Sequence, residues 1–388
     1  MLNGIPPDAD AVQDQTPART AGRSREYDGA AQDGLVHYGS VPNGLAYAAL
    51  DLGTNNCRLL VGTPSADGFR VIDSYSRIVR LGEGLHETGM LSEAAMERAI
   101  LALHACAARL GRRPMRDVRA IATEACRRAG NGAAFLARVK AETGIAFDVI
   151  SPREEAELAL DSCGSLLGDT SDGSGARRAL LFDIGGGSTE LGWVRMDPGS
   201  APQLCGYVSL PLGVVTLADQ FGQAGFTEDG FEAMVDEVAG RLSAFEAVHC
   251  IAQEIRSGNV LLLGTSGTVT TLAGIALGLS RYRRMAVDGH VLSGEDAHAA
   301  VSTLRAMGRE GLAQHPCVGP DRVEFVLPGC AVFAAIIRLW PASRVVVADR
   351  GLREGMLLRM IRADRGRTPP RPAWDANYAS RSARAAGG

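Results

Sequence analysis

Two stretches of this chain repeat one arrangement: a strand runs into an Asp-x-Gly turn and a second strand leads away. The first is Ala46–Leu50 running into Asp51-Leu-Gly-Thr-Asn-Asn56, with Cys57–Thr63 after it. The second is the apolar run Arg178–Ile184, which ends in Asp183-Ile-Gly-Gly-Gly-Ser-Thr-Glu190, with Leu191–Met196 pairing back. A third strand completes each unit, Phe69–Val79 in one and Leu204–Leu210 in the other. A chain containing the same strand–turn–strand unit twice is expected to fold into two related lobes with a cleft between them, where ligands collect.

The turns have their own chemistry. Glycine lets backbone approach a bulky anion and aim successive N–H groups at its oxygens, and the Ser and Thr residues add hydroxyl donors. An aspartate at the strand end would repel a bound phosphate unless a cation lay between them, so Asp51 and Asp183 imply Mg²⁺ or Mn²⁺. Two hairpins that use glycine only for positive φ are the plainer explanation. Their recurrence at equivalent points of a repeat favours phosphate.

The rest of the chain supplies helices and limits the alternatives. Ser92 caps an amphipathic helix to about Leu110, and Val118–Ala122 is a short strand with a loop around Glu124–Arg128. Asn131 starts a helix that Gly144 ends, and Phe147–Ile150 is again extended. A helical stretch runs from Thr227 to about Ile255, and Val260–Leu263 leads into Gly264-Thr-Ser-Gly-Thr268. Ser293 with Asp296 opens another helix; Val345–Ala348 is the final strand and Gly351–Ile361 the terminal helix.

At 388 residues and 46% hydrophobic content the chain is long enough for two ordinary cores. No apolar run approaches the ~20 residues of a membrane span, and the polar Met1–Gly44 segment lacks the apolar block of a secretory signal. A cytoplasmic protein with a disordered N-terminal tail is expected. The cysteines at 57, 106, 126, 163, 205, 250, 317 and 330 form no Cys-x-x-Cys pair, so they read as small thiols rather than a zinc site, with Cys106, Cys163 and Cys250 inside helix-like patterns. A net charge of −4 gives no support for nucleic-acid binding. Lys140 is the only lysine, and it lies in neither a Gly-Lys-Ser/Thr loop nor a kinase strand, which excludes P-loop and protein-kinase chemistry. Cationic phosphate contacts here fall to arginine or metal.

Six motifs recur in the order of one family: Asp51–Asn56, Arg80-Leu-Gly-Glu-Gly-Leu85, Ser151-Pro-Arg-Glu-Glu-Ala156, Asp183–Glu190, Gly264–Thr268 and Gly351-Leu-Arg-Glu-Gly355. Across about residues 46–362 the chain resembles the exopolyphosphatase and guanosine pentaphosphate phosphohydrolase family, in its short two-domain form. The resemblance implies an α/β fold of two ribonuclease-H-like (actin-like ATPase) domains with an interdomain cleft. It implies hydrolysis of a terminal phosphoanhydride with Mg²⁺ or Mn²⁺, releasing orthophosphate from inorganic polyphosphate or from pppGpp, and it makes a homodimer plausible. By the same resemblance Glu155 is the base on the attacking water, and Asp183 and Glu190 hold metal or water beside Asp51. Gly185, Gly186, Gly187 and Ser188 grip phosphate, with Gly53, Thr54 and Asn55 on the facing turn and Gly264, Thr265, Ser266 and Gly267 continuing the set. Arg127 contacts the anion. The implied organisation is a tail at 1–45, domain I at 46–128, domain II at 129–363 and a second tail at 364–388. The internal repeat alone would instead divide the chain near residue 176.

The residues also separate Glu154 from Glu155. Ser151-Pro152-Arg153-Glu154 is a capping box with proline at the first helical position, so Glu154 is expected to bond back to Ser151. Glu155 stands about 100° further round the helix, free of capping, and is the one able to face the cleft. Its plainer role is a surface charge favoured by the helix dipole. Glu124, Asn55 and Arg58 lie near the turns, Arg58 in a strand where an ion pair would equally explain it. Arg281, Arg283 and Arg284 form a basic loop that either tracks a polyanion or is simply solvated. Two other classes fit the turns: an actin-like small-molecule kinase, whose ATP use would depend on an acceptor, and a non-catalytic polyphosphate or alarmone sensor.

Overall fold

The computed structural model describes residues 46–66, 68–168 and 176–365. The tail expected at 1–45 lies outside these residues. So does the one expected from 364, except that Asp364 and Arg365 belong to the last helix.

The first sheet holds β1 (Tyr47–Leu52), β2 (Asn56–Ser65), β3 (Gly68–Ile78), β4 (Asp117–Ala122) and β5 (Asp148–Val149), in the order β3-β2-β1-β4-β5. The second holds β6 (Arg178–Ile184), β7 (Thr189–Arg195), β8 (Gln203–Leu210), β9 (Val260–Thr265), β10 (Val291–Ser293) and β11 (Arg344–Ala348), in the order β10-β11-β9-β6-β7-β8. From its β8 edge the second sheet repeats the first: an antiparallel three-strand meander, then two parallel strands. β10 is an added antiparallel edge. These are two ribonuclease-H-like domains, and the repeat read from the turns is a repeat of whole sheets.

Alternation along β1 shows how each sheet is covered. Ala48, Leu50 and Leu52 face Ala99 and Leu103 of the Glu93–Leu110 helix and Phe135 and Val139 of the Gly132–Thr143 helix. Tyr47 and Ala49 point the other way, against Leu158 of the Pro152–Gly168 helix and Met356 and Leu357 of the Leu352–Arg365 helix. In the second lobe Leu180, Phe182 and Ile184 pack against the Glu228–His249, Gly267–Ala276 and Val323–Leu339 helices. On the opposite face Ala179, Leu181, Leu261 and Leu263 meet Ala159, Cys163 and Leu167 of the Pro152–Gly168 helix. That helix therefore contributes to both lobes, and the chain returns to the first lobe through the Leu352–Arg365 helix.

Three expectations need correction. A domain boundary at Arg128 would cut the first lobe, because the Gly132–Thr143 helix is part of its core and β5 pairs with β4; the sheets divide between Val149 and Arg178. The helical stretch 227–255 is two helices, broken at Cys250, an exposed residue with φ of 51° rather than a helix interior. The Val323–Leu339 helix, which the sequence reading does not contain, is masked by Pro328 and Gly329 in its interior. Gly329 is required by packing: a Cβ there would stand 2.2 Å from Thr268 Oγ1. Among the described residues no helix is long and apolar enough to cross a membrane.

Candidate active site

The two turns are built alike. Gly53 N–H donates to the Asn56 carbonyl and Gly185 N–H to the Ser188 carbonyl, both at 2.9 Å, closing each turn over three residues. In each, the turn's carbonyls are tied by the segment after the third strand. Val79 and Arg80 N–H donate to Asn55 and Gly82 N–H to Thr54; Val214 and Val215 N–H donate to Gly185 and Gly186. This gives the Arg80–Leu85 motif a structural function. With carbonyls held back, the face left for a ligand is the N–H side, as anion-binding turns require.

The turns also touch one another. A Cβ on Gly187 would lie 2.5 Å from Thr54 Oγ1, and one on Gly186 would lie 3.1 Å from the Asn55 backbone nitrogen. Glycine in the second turn therefore admits the first turn, which fills the space a side chain would take. Asn55 is buried at this seam, and its Oδ1 is the one buried side-chain oxygen among the described residues without a hydrogen-bond partner.

Strand register sets the charges. Asp51 pairs across β1–β2 with Arg58, and Asp183 pairs across β6–β7 with Glu190. The second member follows its aspartate by the same number of residues in both units, so Arg58 is the counterpart of Glu190 with the opposite charge. Its proximity is felt: burial raises the Asp51 and Asp183 carboxyls, Asp183 to about 6, and Arg58 opposes both shifts. The sequence signal for Arg58 was this spacing, which hydrophobic patterning does not reveal.

Glu155, on the Pro152–Gly168 helix shared by both lobes, and Glu190, on β7 of the second, are 5% and 7% exposed. Glu155 is raised far above the usual carboxylate range by burial first, then by the charge of Glu190, while Arg127 pulls it down. Glu190 is raised by burial and opposed by the Ser188 hydroxyl; Ser209 Oγ donates to its Oε1 at 2.8 Å. Ser188 is thus engaged with Glu190 as well as standing in the turn. Arg127 Nη1 donates to Glu155 Oε2 at 2.8 Å and to the Ile150 carbonyl at 2.7 Å, and Nη2 donates to Glu124 Oε2 at 2.6 Å. Glu154 points elsewhere. Ser151 Oγ does accept from Glu154 N–H, but the Glu154 carboxylate pairs with Arg119 instead of returning to Ser151, so only half of the capping box forms.

The third loop divides. Gly264 lies in β9, where a Cβ would strike the Phe182 ring at 2.5 Å, and Thr265 is buried with its hydroxyl donated to the Arg350 carbonyl. Phosphate contact at these two is corrected to a packing role. Ser266 and Gly267 remain accessible at the start of the Gly267–Ala276 helix; Ser266 holds φ of 105° and caps Thr268 N–H. In the basic loop, Arg284 donates to the Asp349 carbonyl and pairs with Glu354. Surface cavities lined by Phe226, Phe231 and Arg305, and by Arg153, Tyr207 and His249, contain none of the turn residues.

Among the described residues no three His, Cys, Asp or Glu side chains are grouped to hold a metal ion. Asp51, Asp183 and Glu190 are therefore not a ready three-carboxylate cage. The donor set still suits a hard cation: Asp183 feels the charge of Asp51, and the buried Asn55 oxygen of the first turn is without a partner. Mg²⁺ commonly takes one or two carboxylates and completes its shell with water and substrate oxygens.

The profile of the Ppx/GppA phosphatase family matches residues 61–363. The chain is similar to the crystal structure of an exopolyphosphatase-like protein, with 28% identity and a TM-score of 0.73, covering 81% of this chain and 97% of that one. It is also similar to the Aquifex aeolicus member of the Ppx/GppA family, with 27% identity, a TM-score of 0.67 and coverage of 82% and 98%. An exopolyphosphatase from Cytophaga hutchinsonii, at 24% identity and a TM-score of 0.71 over 82% and 98%, shares the fold.

Proposed function

The chain belongs to the Ppx/GppA phosphatase family, and we propose that it releases orthophosphate from the end of inorganic polyphosphate in the cytoplasm. The observation that carries this reading is Glu155, buried, tied to Arg127 and within reach of the charges of Glu190 and of the turn aspartate Asp51.

Glu155 accepts the proton of a water as the water oxygen bonds to the terminal phosphorus; the bridging P–O bond breaks, and the shortened chain leaves as the anion. A carboxyl raised by burial is a stronger base than an exposed one, and Arg127 keeps its ionised form accessible. With the Gly53 and Gly185 N–H groups closing their own turns, the N–H groups of Thr54 and Asn55 and of Gly186 to Ser188 orient the phosphoryl oxygens, with Ser266 and Gly267 further along the anion. Asp51 and Asp183 would hold Mg²⁺ or Mn²⁺, which when bound neutralises charge on those oxygens. Because Thr54 and Asn55 fill the space beside Gly186 and Gly187, the turns must part for the anion to enter.

Polyphosphate is favoured by arginine density. Arg322 and Arg353 are both lowered by burial first and further by the charge of Arg58, and Arg281 and Arg283 are exposed on the loop that follows the Gly267–Ala276 helix. A long anion uses such a row, whereas pppGpp would place a guanosine against it. Phosphate release measured on polyphosphate of defined length and on pppGpp, with Mg²⁺ present, is expected to be faster per site on polyphosphate. Faster release from pppGpp would transfer the assignment to the nucleotide, and binding without release would make the protein a sensor.

A further inference from the structure

Glu124 is 7% exposed, and the hydrolytic reading leaves it without a task. It opens the five-residue Glu124–Arg128 helix directly after β4. A helix start favours an acid, but so short a helix offers little dipole, and a carboxylate this buried is costly unless it is paired. Its partners are Arg127, at 2.6 Å, and Arg128, whose Nε lies 3.7 Å from Oε1.

Arg127 is thereby shared by two buried carboxylates on separate elements, Glu124 on the first-lobe loop and Glu155 on the Pro152–Gly168 helix. A guanidinium is a rigid planar fork, so fixing one terminal nitrogen fixes the orientation of the others. With Nη2 on Glu124, only Nη1 reaches Glu155, at a single oxygen, and the second oxygen of Glu155 is left for water. Without Glu124, Nη1 stays on the Ile150 carbonyl and Glu155 while Nη2 is released to turn onto the second Glu155 oxygen, giving the bidentate pair that arginine and carboxylate favour. Such a pair would occupy the oxygen that must take the proton.

We propose that Glu124 is a positioning residue for the hydrolysis, holding Arg127 so that it touches Glu155 through one nitrogen only. The inference rests on Glu155 being the base, and its test separates the two. Glu124→Ala, Glu124→Gln, Arg127→Ala, the Glu124→Ala/Arg127→Ala double variant and Glu155→Gln are compared for kcat and KM on polyphosphate, each with its melting temperature. Misplacement at a reacting group costs up to about 10²-fold, so Glu124→Ala is expected to lose about 10–100-fold in kcat with KM changed less than about threefold. Glu124→Gln keeps an acceptor for Nη2 and should recover most of the rate. In the Arg127→Ala background, Glu124→Ala should change kcat by less than about twofold, since a residue acting through another has no effect once that other is gone.

Losses that multiply in the double variant would overturn the proposal, as would wild-type turnover in Glu124→Ala or a loss accounted for by its melting alone. Where Glu155→Gln is inactive and Glu124 silent, only the positioning role is lost. Where Glu155→Gln turns over normally, the base assignment goes too.

Discussion

At the scale of single residues, the choice between adjacent glutamates shows how far local rules reach. Ser151 caps the helix as its sequence suggests, and Glu155 is the buried member of the pair. The partner of Glu154 was not legible, because Arg119 lies on β4, far away in sequence. Arg58 was visible but ambiguous until strand register set it opposite Asp51 as the counterpart of Glu190. Glu155→Gln keeps the shape and removes the base; its phosphate release should fall by about 10²–10⁴-fold, the usual span for a general base, with anion binding nearly unchanged and melting unchanged at about pH 5. Full activity in that variant would refute the assignment.

Elements impose constraints that single positions hide. The glycines of the second turn look interchangeable in sequence, yet each faces a different atom. Gly187→Ala puts a methyl 2.5 Å from Thr54 Oγ1, an overpacked contact of the kind that costs ~1–3 kcal/mol. A lowered melting temperature is expected, largely restored by adding Thr54→Ala, which removes the opposing atoms; an unaffected single variant would show that the turns do not meet in solution. The Val323–Leu339 helix marks the limit of element recognition from sequence. Proline normally argues against a helix interior, but twelve buried residues along this helix supply enough packing to outweigh it.

For the whole molecule, the decisive property is the gathering of like charges where the lobes meet. Asp51, Asp183, Glu155 and Glu190 are all raised by burial, so the folded state favours their protonated forms more than the unfolded chain does. A carboxyl with a raised folded pKa contributes stability in full below its unfolded value, 3.8 for Asp183, and loses it as pH rises through the folded value, about 6 there. The metal-free protein should therefore melt at falling temperature as pH rises from about 5 to 9. Glu155→Gln should flatten that decline. Mg²⁺ added at the alkaline end should raise the melting temperature by a few degrees, and chelation should reverse it, because a ligand that binds only the folded state stabilises it by mass action. A pH-independent melt would contradict the burial of these groups.

The sequence by itself determined the duplicated strand–turn–strand units, the strand-end aspartates and the capped helix that presents Glu155. Each of these is set by interactions within a few residues: alternation, glycine at a turn, a hydroxyl at a helix start. Tertiary structure alone decided that the first lobe runs on past Arg128, that Gly264 serves the Phe182 ring, and that Arg127 joins Glu124 to Glu155. Those outcomes depend on which surfaces meet when distant segments pack. No local rule encodes the identity of an atom arriving from a segment distant in sequence.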